Sequence, residues 1–281
     1  MILCAFADEA SPYIGGQIRA MERNGIFRLE IRGVDRENIK DITPRKAEEV
    51  RARLDDAGIR VWSMGSPIGK QSLSEDFGPH LDDFRRVTEL AGILGADRIR
   101  MFSFYPVAGA DPASTREEVF RRLQLLCENT PEGMVLCHEN EKEIWGEQPE
   151  ACLEIHKAFP TIRAVFDPAN YVQSGVDTLA AWDMLAPYVD YMHVKDAMPD
   201  GTVVPAGMGA GNLPELIRRY RAQGGEVLTL EPHLTDFVGL SGLERGETDK
   251  RVGGLSYKDN DEAFDAAVTA LKDVILKVRN E

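Results

Sequence analysis

Four residues with metal-binding chemistry stand where short apolar runs end. They are Glu139 in Leu-Cys-His-Glu-Asn, Asp167 in Val-Phe-Asp-Pro-Ala-Asn, His193 in Tyr-Met-His-Val-Lys-Asp and Glu231 in Leu-Glu-Pro-His. Their spacings are 28, 26 and 38 residues, each about the length of one strand–helix unit. Three carboxylates brought together without a cation would repel one another and retain protons. A divalent ion removes that conflict, and one imidazole with three carboxylates suits Mn2+, Mg2+, Co2+ or Zn2+ rather than a soft, thiolate-preferring metal. Any one of these residues taken alone reads as a cap, Asp167 before Pro168 most of all. Four in consecutive units, each directly after a buried apolar run, read as one site for one divalent ion.

The elements that must position them alternate along the whole chain. Eight short runs rich in β-formers are strand candidates: Leu3–Ala7, Phe27–Ile31, Arg60–Met64, Arg98–Phe102, Met134–Cys137, Arg163–Phe166, Tyr188–Val194 and Glu226–Leu230. Amphipathic stretches lie between them. Thr43-Pro44 opens one helix and Gly58 closes it. Leu81, Phe84, Val87, Leu90 and Leu94 mark the face of another, ended by Gly95. Val119, Leu123 and Leu126, then Leu153 and Ile155, mark two more, and a last helix runs from about Asp261 to Val278. With no Pro/Ser-rich linker, the pattern predicts an α/β chain folded as a single (β/α)8 TIM barrel over residues 1–281, with a parallel eight-stranded closed sheet. A doubly wound open sheet is disfavoured, because no glycine-rich fingerprint follows the first strand. The stretch 235–260 after the eighth strand lacks periodicity and is read as a lid or a subunit contact, the latter compatible with a homo-oligomer.

Strand period brings further residues to the same end of the barrel. Lys195 accompanies His193 and is read either as a cation for a substrate oxygen or as a salt-bridge partner of Glu231, Asp196 or Glu139. His233 accompanies Glu231 and either handles a proton or hydroxyl or orients a carboxylate. Glu30 and Arg32 form a fork for sugar hydroxyls or, in the plainer reading, an ion pair closing the barrel mouth. Phe6, Phe102, Trp145 and Phe237 lie at or beyond strand ends, where a ring can meet the C–H face of a sugar or simply fill core. His138 is read as packed core, and His80 and His156 as peripheral helix residues. Gly207-Met-Gly-Ala-Gly-Asn212 offers backbone N–H groups to a phosphate, but reads more readily as a tight turn over the mouth.

The set Glu/Asp/His/Glu on strands five to eight, with His-Glu-Asn-Glu, Phe-Asp-Pro-Ala-Asn, His-Val-Lys-Asp and Leu-Glu-Pro-His, resembles the xylose-isomerase-like sugar isomerase/epimerase superfamily. Phe6-Ala7-Asp8-Glu9 and Leu29-Glu30-Ile31-Arg32 at the first two strand ends extend the likeness over nearly the whole chain. The resemblance implies that Glu139 and Glu231 bind the metal and also flank the substrate as proton carriers. One of them removes a proton beside a carbonyl, an enediolate forms with metal support, and reprotonation gives an epimer or the isomeric sugar. Loss of a β-leaving group from the same intermediate would make the chain a lyase or dehydratase on a keto-sugar, keto-inositol or 3-keto-glycoside. Sugar 3-epimerases of this kind often carry a histidine three residues after the metal aspartate, where this chain has Asn170, a substrate-side candidate.

The 281 residues include 33 basic and 47 acidic side chains, a net charge of −14 that opposes phosphate backbones and anionic membranes. That weighs against an endonuclease IV-like phosphodiesterase, as does a total of five histidines where a trinuclear zinc cluster needs many. A non-catalytic carbohydrate-binding barrel would not require four metal-binding side chains. Cys4, Cys127, Cys137 and Cys152 show no metal or disulfide spacing and read as small buried hydrophobes. The opening segment turns acidic at Asp8-Glu9 without a basic region, and no apolar run approaches the roughly 20 residues of a membrane span. The expected address is cytoplasmic, with a small sugar or polyol derivative as partner and neither nucleic acid nor membrane.

Overall fold

The computed structural model describes residues 1–238 and 255–280. Each of the eight apolar runs forms a strand: β1 Ile2–Ala5, β2 Arg28–Ile31, β3 Arg60–Gly65, β4 Arg98–Met101, β5 Val135–Glu139, β6 Arg163–Phe166, β7 Val189–Val194 and β8 Val227–Leu230. They close into a barrel in the order β1-β8-β7-β6-β5-β4-β3-β2. All neighbours are parallel, and β1 seals the ring by pairing Ile2 with Val227 on one side and Ala5 with Leu29 on the other. The fold is the α/β TIM barrel that the alternation predicts.

The helices are α1 Ile14–Asn24, α2 Pro44–Asp56, α3 Phe77–Leu94, α4 Pro112–Glu128, α5 Pro149–Ala158, α6 Pro168–Gln173, α7 Thr178–Leu185, α8 Leu213–Ala222 and α9 Asn260–Asn280. Their ends follow local chemistry. The Thr43 hydroxyl accepts from the Lys46 N–H at the start of α2, and Gly95 ends α3 in the left-handed conformation. Apolar periodicity does not announce α6 or α7; in α1 Ile14, Ile18 and Met21 do repeat at helical spacing, though glycines interrupt its start. The first turn of α1 holds Gly15 and Gly16, which lowers helix propensity, and α6 is only six residues long. What starts α6 and α7 is a cap: the Asp167 carboxylate accepts from the Asn170 N–H, and the Asp177 carboxylate from Leu179 and Ala180. Of the stretch 235–260, residues 239–254 lie outside the described residues, and with them most of the expected lid or subunit contact.

One large apolar cluster lies between sheet and helices, and a smaller one of Cys4, Cys137, Val165, Tyr191 and Val227, joined by Trp62, fills the lower barrel. Cys4, Cys137 and Cys152 are buried thiols as expected, and Cys127 is half-buried. Among the described residues no helix is long and apolar enough to cross a membrane.

Candidate metal centre

All four predicted ligands meet at the strand tips. Glu139 is the last residue of β5, Asp167 follows β6, His193 lies near the end of β7 and Glu231 follows β8. One ligand atom from each lies within 4.8 Å of every other, and all four residues are buried. Asp167 caps α6 and faces the site at once: one carboxylate oxygen accepts from the Asn170 N–H at 3.0 Å, and the buried Oδ2 has only the Lys195 ammonium beside it, at 3.2 Å. Glu231 is divided in the same way. Its Oε1 accepts from Arg32 Nη1 at 3.1 Å, and its buried Oε2 has no hydrogen-bond partner. Buried, unsatisfied carboxylate oxygens are costly, and converging ones more so. These two oxygens face each other with one ammonium, that of Lys195, between them, and together with the hard donor set they fit a divalent cation.

The His193 ring is fixed from both sides. Its Nε2 meets Glu30 Oε2 at 3.2 Å, while Nδ1 lies 2.9 Å from Glu139 Oε1 and 3.5 Å from Glu231 Oε2. An Nε2–H bond to Glu30 leaves Nδ1 facing the carboxylates, the arrangement that orients an imidazole toward a metal. Glu30 is anchored in turn by the Tyr191 hydroxyl, which donates to its Oε1 at 2.8 Å and lies 3.2 Å from Ser63 Oγ. The Phe6 ring packs edge-on against the imidazole at 5.2 Å. That ring needs Gly65 beside it, since a β-carbon there would fall 2.5 Å from Phe6 Cε1.

Electrostatics reflect the crowding. Burial raises the Asp167 carboxyl to about 6 against the opposing Lys195 charge, with Glu231 and Glu139 pushing the same way as burial. Burial alone would keep His193 neutral, but the Glu139 and Glu30 carboxylates outweigh it and push the imidazole well up. Across the mouth, burial would raise Glu141, yet Lys70, Lys142 and Lys195 together hold it down at about 2.

Lys195 reaches the ligand set, with Nζ 3.2 Å from Asp167 Oδ2 and 3.6 Å from Glu231 Oε2. Glu231 was an expected partner and Asp167 was not. Asp196, also expected, turns away into the glycine-rich loop, where its carboxylate accepts from the N–H groups of Gly207, Gly209 and Gly211 at 2.9, 3.0 and 3.0 Å. The backbone nest is therefore filled from within: the segment is the tight turn that its sequence favours over a phosphate cradle, closed by its own anion. His233 stands against Glu231, Nε2 to Oε1 3.2 Å, and its backbone N–H donates to Glu9 Oε2 at 2.6 Å.

Glu30 and Arg32 do not form the expected ion pair. Arg32 bonds Asp8 through Nε and Nη2 at 2.9 and 3.0 Å, Glu9 at 3.0 Å and Glu231, whereas Glu30 lies fully buried against His193. Glu9, Glu231 and His233 also converge, but Arg32 already bonds both carboxylates and supplies the cation there. Asn170 donates to Asn140 O at 2.9 Å and lies 3.4 Å from Glu139 Oε1, so it braces that ligand. Phe6, Phe102 and Phe237 lie close to the site's cations, with Arg32 over the Phe6 and Phe237 rings and Arg100 and Lys70 over Phe102. Trp145 packs against the main core, its indole N–H buried and without a partner. His138 is packed core bonded to Ser103, as expected. His156 is not peripheral: it is buried and stacked on Tyr188 at 5.3 Å. His80 is half-buried, with Nε2 accepting from the Gly69 N–H.

Sequence reasoning missed Arg100, buried with Nε 3.4 Å from Glu139 Oε2, and the supporting pair Tyr191 and Ser63. The Arg-Ile-Arg-Met alternation of β4 was the available signal, since period two sends Arg98 and Arg100 to the same face.

Residues 18–249 match the family model of the xylose isomerase-like TIM barrel. No curated protein sequence matches the chain. Among solved structures, the IolI protein with a bound zinc atom superposes with a TM-score of 0.74 at 15% identity, covering 99% of both chains. D-psicose 3-epimerase, in the presence of D-fructose, gives 0.73 at 15% identity over 99% of both chains. The probable 3-DHS dehydratase AsbF of Bacillus anthracis gives 0.72 at 17% identity, over 96% of this chain and 98% of that one. At such identities the structural likeness speaks for the fold. With the family model matching most of its length, the chain belongs to the xylose isomerase-like TIM barrel family.

Proposed function

We propose that the chain is a divalent-metal-dependent isomerase or epimerase of a sugar-like carbonyl compound, working by proton transfer beside the carbonyl. The observation that carries this reading is the convergence of Glu139, Asp167, His193 and Glu231 within 4.8 Å at four consecutive strand tips. Mn2+, Mg2+, Co2+ or Zn2+ bound there would supply Lewis-acid polarisation of a substrate carbonyl and so acidify the neighbouring C–H. Glu139 and Glu231 approach from β5 and β8, and either carboxylate can accept the proton while the other returns it. Arg32 ties one oxygen of Glu231 and leaves the second toward the site. The Lys195 ammonium, beside Asp167 and Glu231, is placed to steady negative charge on a substrate oxygen. His233 orients Glu231, and the half-buried Phe237 offers apolar surface to ring C–H groups. The fold shared with a zinc-holding protein, a ketose epimerase and a dehydratase supports the metal and the carbonyl chemistry as a class.

A dehydratase is the alternative reading, because one observation counts against a 3-epimerase. Asn170 is spent on bracing Glu139 and Asn140, so no imidazole stands where 3-epimerases often carry one. Proton exchange followed by NMR in D2O, with ketoses, keto-inositols and 3-keto-glycosides as substrates, tests both readings. Deuterium should enter at the carbon next to the carbonyl, and the product, epimer or unsaturated ketone, decides between them. Glu139→Gln and Glu231→Gln should each retain metal and lose about 10²–10⁴-fold in rate, with exchange abolished in the variant lacking the abstracting base. Wild-type turnover in both variants would reduce the glutamates to ligands and move the base to Lys195 or His233.

A further inference from the structure

At the opposite end of the barrel from the metal centre, a hollow of about 520 Å³ opens beside the starts of β2 and β3. Its polar lining is Arg28, Arg51, Arg60, Asp55, Asp97 and Trp62. The acidic members are already matched: Asp55 accepts from Arg51 at 2.8 Å and Asp97 from Arg98 at 2.6 Å. Arg28 and Arg60 are not. They face each other as register partners at the first positions of two parallel strands, and among the described residues neither has a carboxylate within ion-pairing distance. Arg28 donates only to the Phe27 carbonyl, at 3.1 Å, and Arg60 has no side-chain partner at all among the described residues. The indole N–H of Trp62 is a further donor, buried and without an acceptor.

Like charges directly opposite on neighbouring strands destabilise a sheet, so this pair is not there to hold the barrel together. In a chain of net charge −14, two unmatched guanidinium groups around one concavity form a local reversal of the field. Guanidinium groups offer planar forked donors suited to phosphate oxygens. We propose that this hollow is a binding site for a phosphate group, free or carried by a small metabolite, separate from the metal centre.

Isothermal titration of the full-length protein with inorganic phosphate at low ionic strength tests this, with glycerol 3-phosphate titrated in parallel to separate free phosphate from a phosphate ester. Saturable binding in the millimolar range or tighter is expected for at least one of the two. Arg28→Gln/Arg60→Gln should weaken it at least tenfold, Arg28→Lys/Arg60→Lys should keep part of it, and Asp167→Asn, at the metal centre, should leave it unchanged. Without phosphate, the glutamine variant should melt at or above the wild-type temperature, because the repulsion is gone, and phosphate should no longer raise its melting point. Absence of saturable binding, wild-type affinity in the glutamine variant, loss of binding in Asp167→Asn, or a glutamine variant that melts lower in phosphate-free buffer would each overturn the proposal.

Discussion

Glu30 and His193 lie 3.2 Å apart, and the strength of that contact can be read through the metal rather than through turnover. Removing the carboxylate that orients a ligating imidazole typically lowers metal affinity 10–100-fold. Glu30→Gln should therefore weaken Zn2+ or Mn2+ binding by about that factor in a competitive chelator titration. Away from the site, His80 and His156 are both held down to about 4, chiefly by burial. Both stay neutral when folded and take up a proton on unfolding once the pH falls below the ordinary histidine value near 6.5. The stability they allow is complete above that value and is lost as the pH falls toward 4. Thermal melts should show a steeper acid limb between pH 6.5 and 4.5 in the wild type than in His80→Gln. The ligands themselves are legible in the sequence because each polar type stands at or just beyond the end of an apolar run. The orienting role of Glu30 is not, because it depends on which ring nitrogen of His193 meets it, and the register of β2 on β3 shifts between Leu29 and Glu30. Arg100 escaped notice because an arginine inside a strand reads first as a rim residue.

At the scale of elements, the barrel strands were legible because each is a short apolar run closed by turn chemistry, and the long helices because their apolar faces repeat at helical spacing. The short helix α6 was not, since a cap organises it rather than periodicity, and the glycine turn after β7 was legible as a turn but not the side chain that closes it. The Asp196 carboxylate organises that turn, accepting from the N–H groups of Gly207, Gly209, Gly211 and Ala197. Asp196→Ala should cost about 2–4 kcal/mol in urea unfolding, the range for leaving several part-buried donors without a charged acceptor. Gly209→Ala should also destabilise, since its β-carbon would fall 2.4 Å from Asp196 Oδ1.

For the whole molecule, a bound metal stabilises the folded state by mass action. EDTA should lower the melting temperature and added Mn2+, Co2+ or Zn2+ should restore it, while elemental analysis should find about one ion per chain. The charge of −14 acts over the entire surface, and the chain should show no affinity for abasic duplex DNA at physiological salt, measured by fluorescence anisotropy. The anion seated in the glycine turn also bears on which molecules the catalytic end selects. A loop of that composition could otherwise grip the terminal phosphate of a sugar ester, but here Asp196 has taken its three glycine donors. A phosphorylated substrate would gain no affinity from this turn. Under the proposed activity, kcat/KM for a free ketose should then equal or exceed that of its phosphate ester.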